Sequence, residues 1–369
     1  MGAPRICIVG AGISGLVLGR CLLRRGIQAV LFEKSRSTPT RNKYGITLYA
    51  AAYRPLLRLL DIEESYFRNK VAVDASIGGH GRIGSGKDSN EFRVNRARLE
   101  GFLAEGLDIR YEHRLETLEQ LPNSTVLQFG NGSSYETQIL VGADGVHSQT
   151  RKCVSPETDY KILPFVVFNG KRRVAPEDFS RNLQEYFKDR NIIEANLNGV
   201  LFQISIDDYE SDKISISYNY SRPAREGEDP LYRPTRSKSD ATNIPEAFFS
   251  EIDGHQLKEP YRTVFSSETM RGDRLLNWLM RTMQADEHVL REKASTGVVL
   301  IGEAAHAEPI LGGHGAHQSI QDTIRLFEIL VAKEDISKFY TDRFDQWRKS
   351  LHASEQRIHD MHKSLKTSL

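Results

Sequence analysis

Three glycines at fixed offsets, Gly10, Gly12 and Gly15, are followed about 20 residues later by a carboxylate, Glu33. Glycine at the first position permits a sharp turn out of a strand. At the second it lets backbone approach a pyrophosphate, and at the third it lets the next helix pack on the strand. An acid at the end of the following strand accepts hydrogen bonds from the ribose hydroxyls of an adenosine. The chemistry these residues offer is dinucleotide binding, with NAD and FAD both open at this point.

Two further stretches hold functional residue types in close order. In ILVGADGVHSQTR, residues 139–151, an apolar run ends in Gly142, Ala143, Asp144 and Gly145, and a helix is expected from about Ser148. Such a junction lies at the carboxyl edge of a sheet, where ligands bind in open α/β folds; an Asp-Gly turn that only reverses the chain has the same residues. In GVVLIGEAAHAEPILGGHGAHQSIQD, residues 297–322, Glu303 sits in the loop, and Gly312, Gly313 and Gly315 precede a helix expected over 316–332. Glycines there leave the helix N–H groups and its positive dipole end open to an anionic or carbonyl-bearing ligand. The ExxH of Glu303 and His306, with His314 and His317 nearby, suggests a metal. Metal-binding ExxH pairs project from helices in twos, whereas this one lies in a loop alone, so no metal is expected.

These groups need a frame. Ile6 to Val9 and Ala29 to Phe32 read as buried parallel strands around a helix whose apolar face is Leu16, Val17, Leu18, Leu22 and Leu23, ended by Gly26. Lys34 to Tyr44 reads as a loop, and Gly45 to Tyr49 leads into a helix through Leu60. Residues 77–90, rich in glycine, read as a connection crossing the site. A strand from Phe92 precedes a helix with Arg96 and Arg98 in its first turn, residues that on their own read more readily as solvated surface arginines. Thr125 to Phe129 and Tyr135 to Leu140 form a hairpin about Gly130, Asn131 and Gly132. From Pro156 to Glu292 the pattern changes to strands at 160–174, 200–206 and 213–220, and the alternation in ISISYNYS indicates an antiparallel sheet with one exposed face. Helical pieces are expected at 245–252 and 275–283, and one or two terminal helices over 337–362 cover the first part of the fold.

With 369 residues the chain has room for a large core and a second, smaller domain. Its net charge of +1 gives no global field to attract nucleic acid or an anionic membrane. No segment reaches the length of a membrane span, so no stable membrane association is expected. Cys7 and Cys21 fall inside a predicted strand and helix as small core residues, which fits a reducing, cytoplasmic location.

The three ordered stretches together resemble the FAD-dependent aromatic hydroxylase family, the class A single-component flavoprotein monooxygenases, in a secondary-metabolite-type branch. Gly10, Gly12, Gly15 and Glu33 correspond to its GxGxxG and acid. Gly142, Asp144, Gly145, Ser148 and Arg151 correspond to its GADGxxSxxR, and Gly302, Ala304, Ala305, His306, Pro309, Gly313 and Gly315 to most of its GDAAHxxxPxxGxGxN. Arg96 and Leu99 correspond to its RxxL. Two residues depart from the pattern: Glu303 stands for Asp and His317 for Asn.

The resemblance implies an α/β fold, with a Rossmann-like FAD-binding domain (1–155 and 293–332) and an inserted, mainly antiparallel β-sheet substrate domain (156–292, with 77–91 contributing). A C-terminal helical segment spans 333–369. The implied cofactor-binding set is Gly10, Gly12, Gly15, Glu33, Lys34, Gly45, Arg96, Asp144, Glu303, Pro309, Gly313, Gly315 and Ala316. Glu33 would hold the adenosine ribose and Glu303 a ribityl hydroxyl. Gly315 and Ala316 would set a helix dipole, worth about 0.3–2 kcal/mol, against the reduced flavin.

In that family the inserted sheet roofs the flavin, so Arg172 and Tyr218 become catalytic candidates that would orient a phenol or donate a proton; as rim residues of a sheet they would look the same. Strand parity groups Arg172 with Val166 and Phe168. The implied activity is hydroxylation or epoxidation of an aromatic or other electron-rich small molecule by NADPH or NADH and O2, through a C4a-hydroperoxyflavin. A lining of Phe165, Phe168, Phe202, Ile204 and Tyr218 would suit a sizeable uncharged substrate. A halogenase is disfavoured because neither Trp278 nor Trp347 lies in a WxWxIP stretch. A flavin-binding cyclase, reductase or non-catalytic protein on the same fold is the alternative.

Overall fold

A computed structural model of the chain describes residues 6–37, 43–84, 90–312 and 314–363. Its centre is a five-stranded sheet in the order Val298–Leu300, Ile139–Gly142, Ile6–Val9, Ala29–Phe32 and Asp108–Arg110. Every pairing in it is parallel. The three inner strands are buried on both faces, which is why they read as unbroken apolar runs. Helix Ile13–Arg24 packs on this sheet, and helix Gly315–Ala332 packs on that helix.

The second layer is a six-stranded antiparallel sheet, ordered Ile192–Leu197, Val200–Tyr209, Ile214–Pro223, Lys161–Val174, Arg274–Gln284 and His306–Ala307. Arg274–Gln284 is thus a strand, where the sequence had suggested a helix. Its apolar run, LLNWLM, carries no clean period, and pairing with Lys161–Val174 decides its conformation. The edge strand Ile192–Leu197 and the strand Leu115–Leu121, whose leucines recur every third residue, show no period-two pattern in the sequence. The hairpin about Gly130–Gly132 is present as Ser124–Phe129 and Ser134–Thr137, but Ile139–Gly142 leaves it for the parallel sheet.

The face of the antiparallel sheet expected to be exposed is buried: Ser217, Asn219 and Ser221 are each less than a tenth exposed. The opposite face, with Phe168, Phe202, Ile204 and Tyr218, forms its own apolar core with Phe248, Phe249, Ile252, Val264 and Phe265. One terminal helix, Lys338–Met361, joins both layers. Phe339, Tyr340 and Trp347 enter the main core, while Ile358 and Met361 pack with Phe165 and Leu201. Among the described residues no helix is long and apolar enough to cross a membrane.

Candidate active site

The three glycine-bearing stretches meet because glycine allows their backbones to touch. Gly10 has φ +107°, and a Cβ there would lie 2.4 Å from the carbonyl oxygen of Ala143. A Cβ on Gly15 would lie 2.0 Å from the Gly10 oxygen, and one on Gly302 2.3 Å from Ser14 Oγ. Gly12 is different. Its added Cβ would meet nothing closer than Arg96 Nη2 at 3.9 Å, so here the missing side chain opens space instead of relieving contact. The helix beginning at Ile13 has no side-chain cap, leaving its N-terminus to a ligand.

Around this point stand the other cofactor candidates. Glu33 accepts the Ala11 N–H at 3.1 Å and the Ser35 N–H at 3.0 Å, which fixes its carboxylate beside the glycine turn. Arg96 donates to Glu100 at 2.8 Å and to the Tyr44 hydroxyl. Burial alone would lower its pKa, but Tyr44, Glu100 and Glu303 prevail and hold the guanidinium firmly charged. The Gly45 N–H donates to Asp207 at 2.8 Å. Glu303 lies 3.4 Å from the position of a Cβ on Gly315 and 4.0 Å from one on Gly145, facing the uncapped start of helix Gly315–Ala332. Gly12, Gly45, Arg96, Glu303, Pro309, Gly315 and Ala316 all line one cavity of about 2500 Å³. That is well above the ~300–1,000 Å³ of a single-ligand pocket, and it leaves room for a dinucleotide and a second molecule.

Other candidates sit elsewhere. Lys34 is exposed and outside the cavity lining, and Gly313 lies outside the described residues. Asp144 caps the helix Gln149–Val154, accepting the N–H groups of Gln149 at 2.7 Å and Thr150 at 3.0 Å, so its carboxylate shapes the loop. Arg151, 2% exposed, reaches the Ala304 carbonyl at 3.0 Å and the Val146 carbonyl at 2.8 Å, which ties the second stretch to the third. His306 Nε2 lies 2.8 Å from Asp322, and the rings of His314 and His317 are 6.0 Å apart. No group of three or more metal-ligating side chains occurs among the described residues.

The inserted sheet roofs the cavity with the face opposite to the one the aromatic lining required. Asn169, Lys171, Gln203, Ser217 and Asn219 line the cavity, together with Trp278 and Leu279. Phe165, Phe168, Phe202, Ile204 and Tyr218 do not. Arg172 shares its face with Val166 and Phe168, as parity indicated, but that face holds the separate core. Its guanidinium is bound to Asp273 at 2.6 Å and to the Val264 carbonyl at 3.0 Å, so it only borders the cavity. The Tyr218 hydroxyl donates to the same Asp273 at 2.6 Å.

A basic group at the cavity was missed from sequence: His147, Arg236, Lys238 and Arg281, with Arg281 Nη2 3.3 Å from His147 Nε2. Burial, then Arg281, Lys238, Lys34 and Arg151, push His147 down to about 4, so it is neutral at pH 7. These residues come from three separate segments and show no local pattern.

The residues present fit an FAD: an open glycine turn at an uncapped helix start, an acid beside it, and a second uncapped helix with a carboxylate in front. Comparison with known proteins agrees. A family model described as FAD binding domain matches residues 4–48 and 92–337. The FAD-dependent monooxygenase adaC of Aspergillus niger is 31% identical over 393 residues, covering 98% of this chain and 94% of that protein. The FAD-dependent monooxygenase aptC of Emericella nidulans is 30% identical over 400 residues, covering 98% and 96%. Among solved structures, 2,6-dihydroxypyridine-3-hydroxylase from Arthrobacter nicotinovorans superposes with a TM-score of 0.73 at 18% identity, covering 98% of this chain and 93% of that one. A putative FAD-containing monooxygenase from Photorhabdus luminescens gives 0.72 at 20% identity, covering 99% and 100%. With motif, geometry and relatives in agreement, the chain belongs to the FAD-binding family of FAD-dependent monooxygenases.

Proposed function

We propose that this oxidoreductase takes electrons from NADPH or NADH and uses O2 to hydroxylate or epoxidise an aromatic or other electron-rich small molecule of secondary metabolism. The observation that carries this reading is the single cavity in which Gly12, Glu303 and Gly315 face a polar sheet roof. Residues 1–155 and 293–332 would hold the cofactor, and 156–292 the substrate.

Each chain residue has a task. Gly12 and the helix behind it would take the pyrophosphate, with Arg96 supplying charge. Glu33 would hold the adenosine ribose and Glu303 the ribityl chain. The N-terminus of Gly315–Ala332 would stabilise negative charge on the ring by about 0.3–2 kcal/mol. Bound FAD would supply the hydride-accepting and oxygen-activating chemistry. The roof would exclude water, which strengthens these electrostatic contacts. Arg236, Lys238 and Arg281, with neutral His147 as a hydrogen-bonding group, would receive the diphosphate of the nicotinamide cofactor at the cavity edge.

The test is the visible spectrum of the purified protein, followed by NADPH and NADH oxidation with candidate aromatics and ¹⁸O incorporation from labelled O2. A protein without flavin bands that FAD does not restore would overturn the reading. Bound flavin without substrate-stimulated oxidation would favour a cyclase or a non-catalytic role.

A further inference from the structure

The roof carries charge and hydrogen-bonding capacity that cofactor binding leaves unused. Asp207, 1% exposed, accepts the Gly45 N–H at 2.8 Å and the Ser217 hydroxyl at 3.0 Å. Two cations share it loosely: Arg93 Nη2 at 3.8 Å and Lys171 Nζ at 4.0 Å. Elsewhere in the fold buried pairs close tightly, with Arg172–Asp273 and Arg222–Asp229 both at 2.6 Å. One carboxylate facing two cations closes tightly on neither.

Lys171 has donors to spare. Among the described residues its ammonium makes that long ion pair and lies 4.6 Å from the Tyr44 ring centroid. Burial pulls its pKa below the ordinary lysine value; Asp207 opposes this, while Arg274 and Arg93 add to it, as expected for a cluster short of negative charge. The acidic side chains nearby have their own partners. Glu210 is paired with Lys43 at 3.0 Å and Lys213 at 2.7 Å, while Glu194 is held by the neutral amide of Gln203 and its charge acts on Arg93.

Beside the charges runs a row of amides. Asn169 donates to Asn219 at 2.9 Å, and Asn219 donates to Gln203 at 2.8 Å. Among the described residues the row leaves Asn169 Oδ1 with no partner, although the residue is 2% exposed and lines the cavity. A buried acceptor without a donor is a cost that a ligand hydroxyl would recover. Lys171 and Asn169 are two residues apart on one strand and face the same way, so their side chains start about 7 Å apart. That spacing suits two oxygen substituents on one fused-ring skeleton.

We propose that Lys171 and Asn169 are the specificity-determining pair for substrate, selecting a hydroxylated aromatic or enol that enters as its monoanion. The ammonium takes the phenolate or enolate oxygen, and the Asn169 carbonyl accepts a second hydroxyl. This rests on the monooxygenase reading and replaces the uncharged substrate suggested by an aromatic lining that faces elsewhere.

The test uses FAD-loaded protein, its flavin content first verified by its spectrum, titrated with 1,8-dihydroxyanthraquinone and with its 1,8-dimethoxy ether, which cannot ionise. Wild type should bind the diphenol at least tenfold more tightly than the ether and show the absorption band of its anion at pH 7. Lys171→Met should lose at least tenfold affinity for the diphenol and none for the ether, and Lys171→Arg should retain the anion band. Asn169→Leu should weaken diphenol binding with the band retained. Equal binding of the two probes by wild type, or diphenol binding unchanged in Lys171→Met, would overturn the proposal while leaving the monooxygenase reading intact. Loss of FAD from Lys171→Met would make Lys171 a flavin contact and overturn it too. A wild-type protein that binds no FAD would remove the monooxygenase reading itself, and this proposal with it.

Discussion

Asp322→Asn should be among the most destabilising single-atom changes in the protein. Asp322 is fully buried in helix Gly315–Ala332, and both of its oxygens are doubly engaged. Oδ1 accepts from Arg343 Nε at 2.8 Å and Trp347 Nε1 at 2.8 Å; Oδ2 accepts from Gly302 N at 2.9 Å and lies 2.8 Å from His306 Nε2. An amide in either orientation turns its NH₂ toward two of these donors. It also leaves Arg343, 8% exposed, without its counter-ion. Breaking a buried pair from one side costs about 3–5 kcal/mol.

Urea unfolding followed by fluorescence, with Trp347 inside the cluster as reporter, would measure this loss. Arg343→Met should cost a similar amount, and the double variant should cost less than the two singles combined by about 1–3 kcal/mol, because no stranded charge remains. A single-variant loss below about 1 kcal/mol, or strictly additive losses, would refute the reasoning. There is also a pH signature. Burial alone would raise the Asp322 pKa, but His306, Arg343 and Trp347 hold it below the usual carboxylate range. A depressed folded value means the stabilisation is present above the unfolded pKa, about 3.9, and is lost as pH falls through the folded value. Wild type should therefore lose this contribution only below about pH 4, and Asp322→Asn should lack that step.

Glu33→Ala should weaken FAD binding by about 1.5–3 kcal/mol, roughly 10–150-fold, in a fluorescence titration, with the product unchanged by chromatography. A changed product at full FAD occupancy would contradict its role as an adenosine anchor. Gly10→Ala combines about 1–3 kcal/mol of backbone strain with a further ~1–3 kcal/mol of overpacking against Ala143, so the FAD-free protein should melt early. Gly12→Ala has room for its methyl group and should leave FAD-free stability within about 0.5 kcal/mol while lowering FAD affinity; an equal effect of the two substitutions on the melt would undo that contrast. Tyr218→Phe removes a hydrogen bond to Asp273 from a side chain outside the cavity lining and should cost about 1.5–3 kcal/mol of stability without lowering kcat. A collapse of turnover at normal flavin content would return Tyr218 to the reacting centre.

The cofactor half of the site was legible because its rules are local. A strand, three glycines, a helix and an acid within 28 residues, 6–33, specify a turn whose Gly10 needs φ +107° and whose Gly12 needs open space. Gly302 and Gly315 follow the same logic in the third stretch. Local rules failed where pairing decides. Leu115–Leu121 is largely exposed and its leucines recur every third residue, so it lacks the period-two signal of a strand, and Arg274–Gln284 has apolar residues on both faces and fits helix or strand equally. Arg343 and Trp347, which hold Asp322, belong to the terminal helix, and only the tertiary fold brings them to the third stretch.

The substrate half was misread for a subtler reason. Period-two alternation states which side chains share a face but not what that face meets. In ISISYNYS alternation alone would send the polar set to solvent and the aromatic set to the site, whereas in the structure Ser217 and Asn219 of the polar set line the cavity and the aromatic set is buried away from it. The aromatic set has its own cover, since Phe248 stacks on Phe168 with ring centroids 3.9 Å apart and Phe265 packs on Tyr218 at 5.2 Å. That cover was present in the sequence as the apolar cluster of Phe248, Phe249 and Ile252 with Val264 and Phe265, residues too numerous for a solvent-facing excursion. Once those residues claim one face, the polar face must meet the parallel-sheet half, and a buried polar face is stable only if its groups pair with each other or with a ligand. Ser205, Ser217 and Asp207 satisfy one another, and Asn219 and Gln203 do the same. Among the described residues the exceptions include Asn169 Oδ1, Arg93 Nε and the loosely held Lys171, groups left for a ligand to complete.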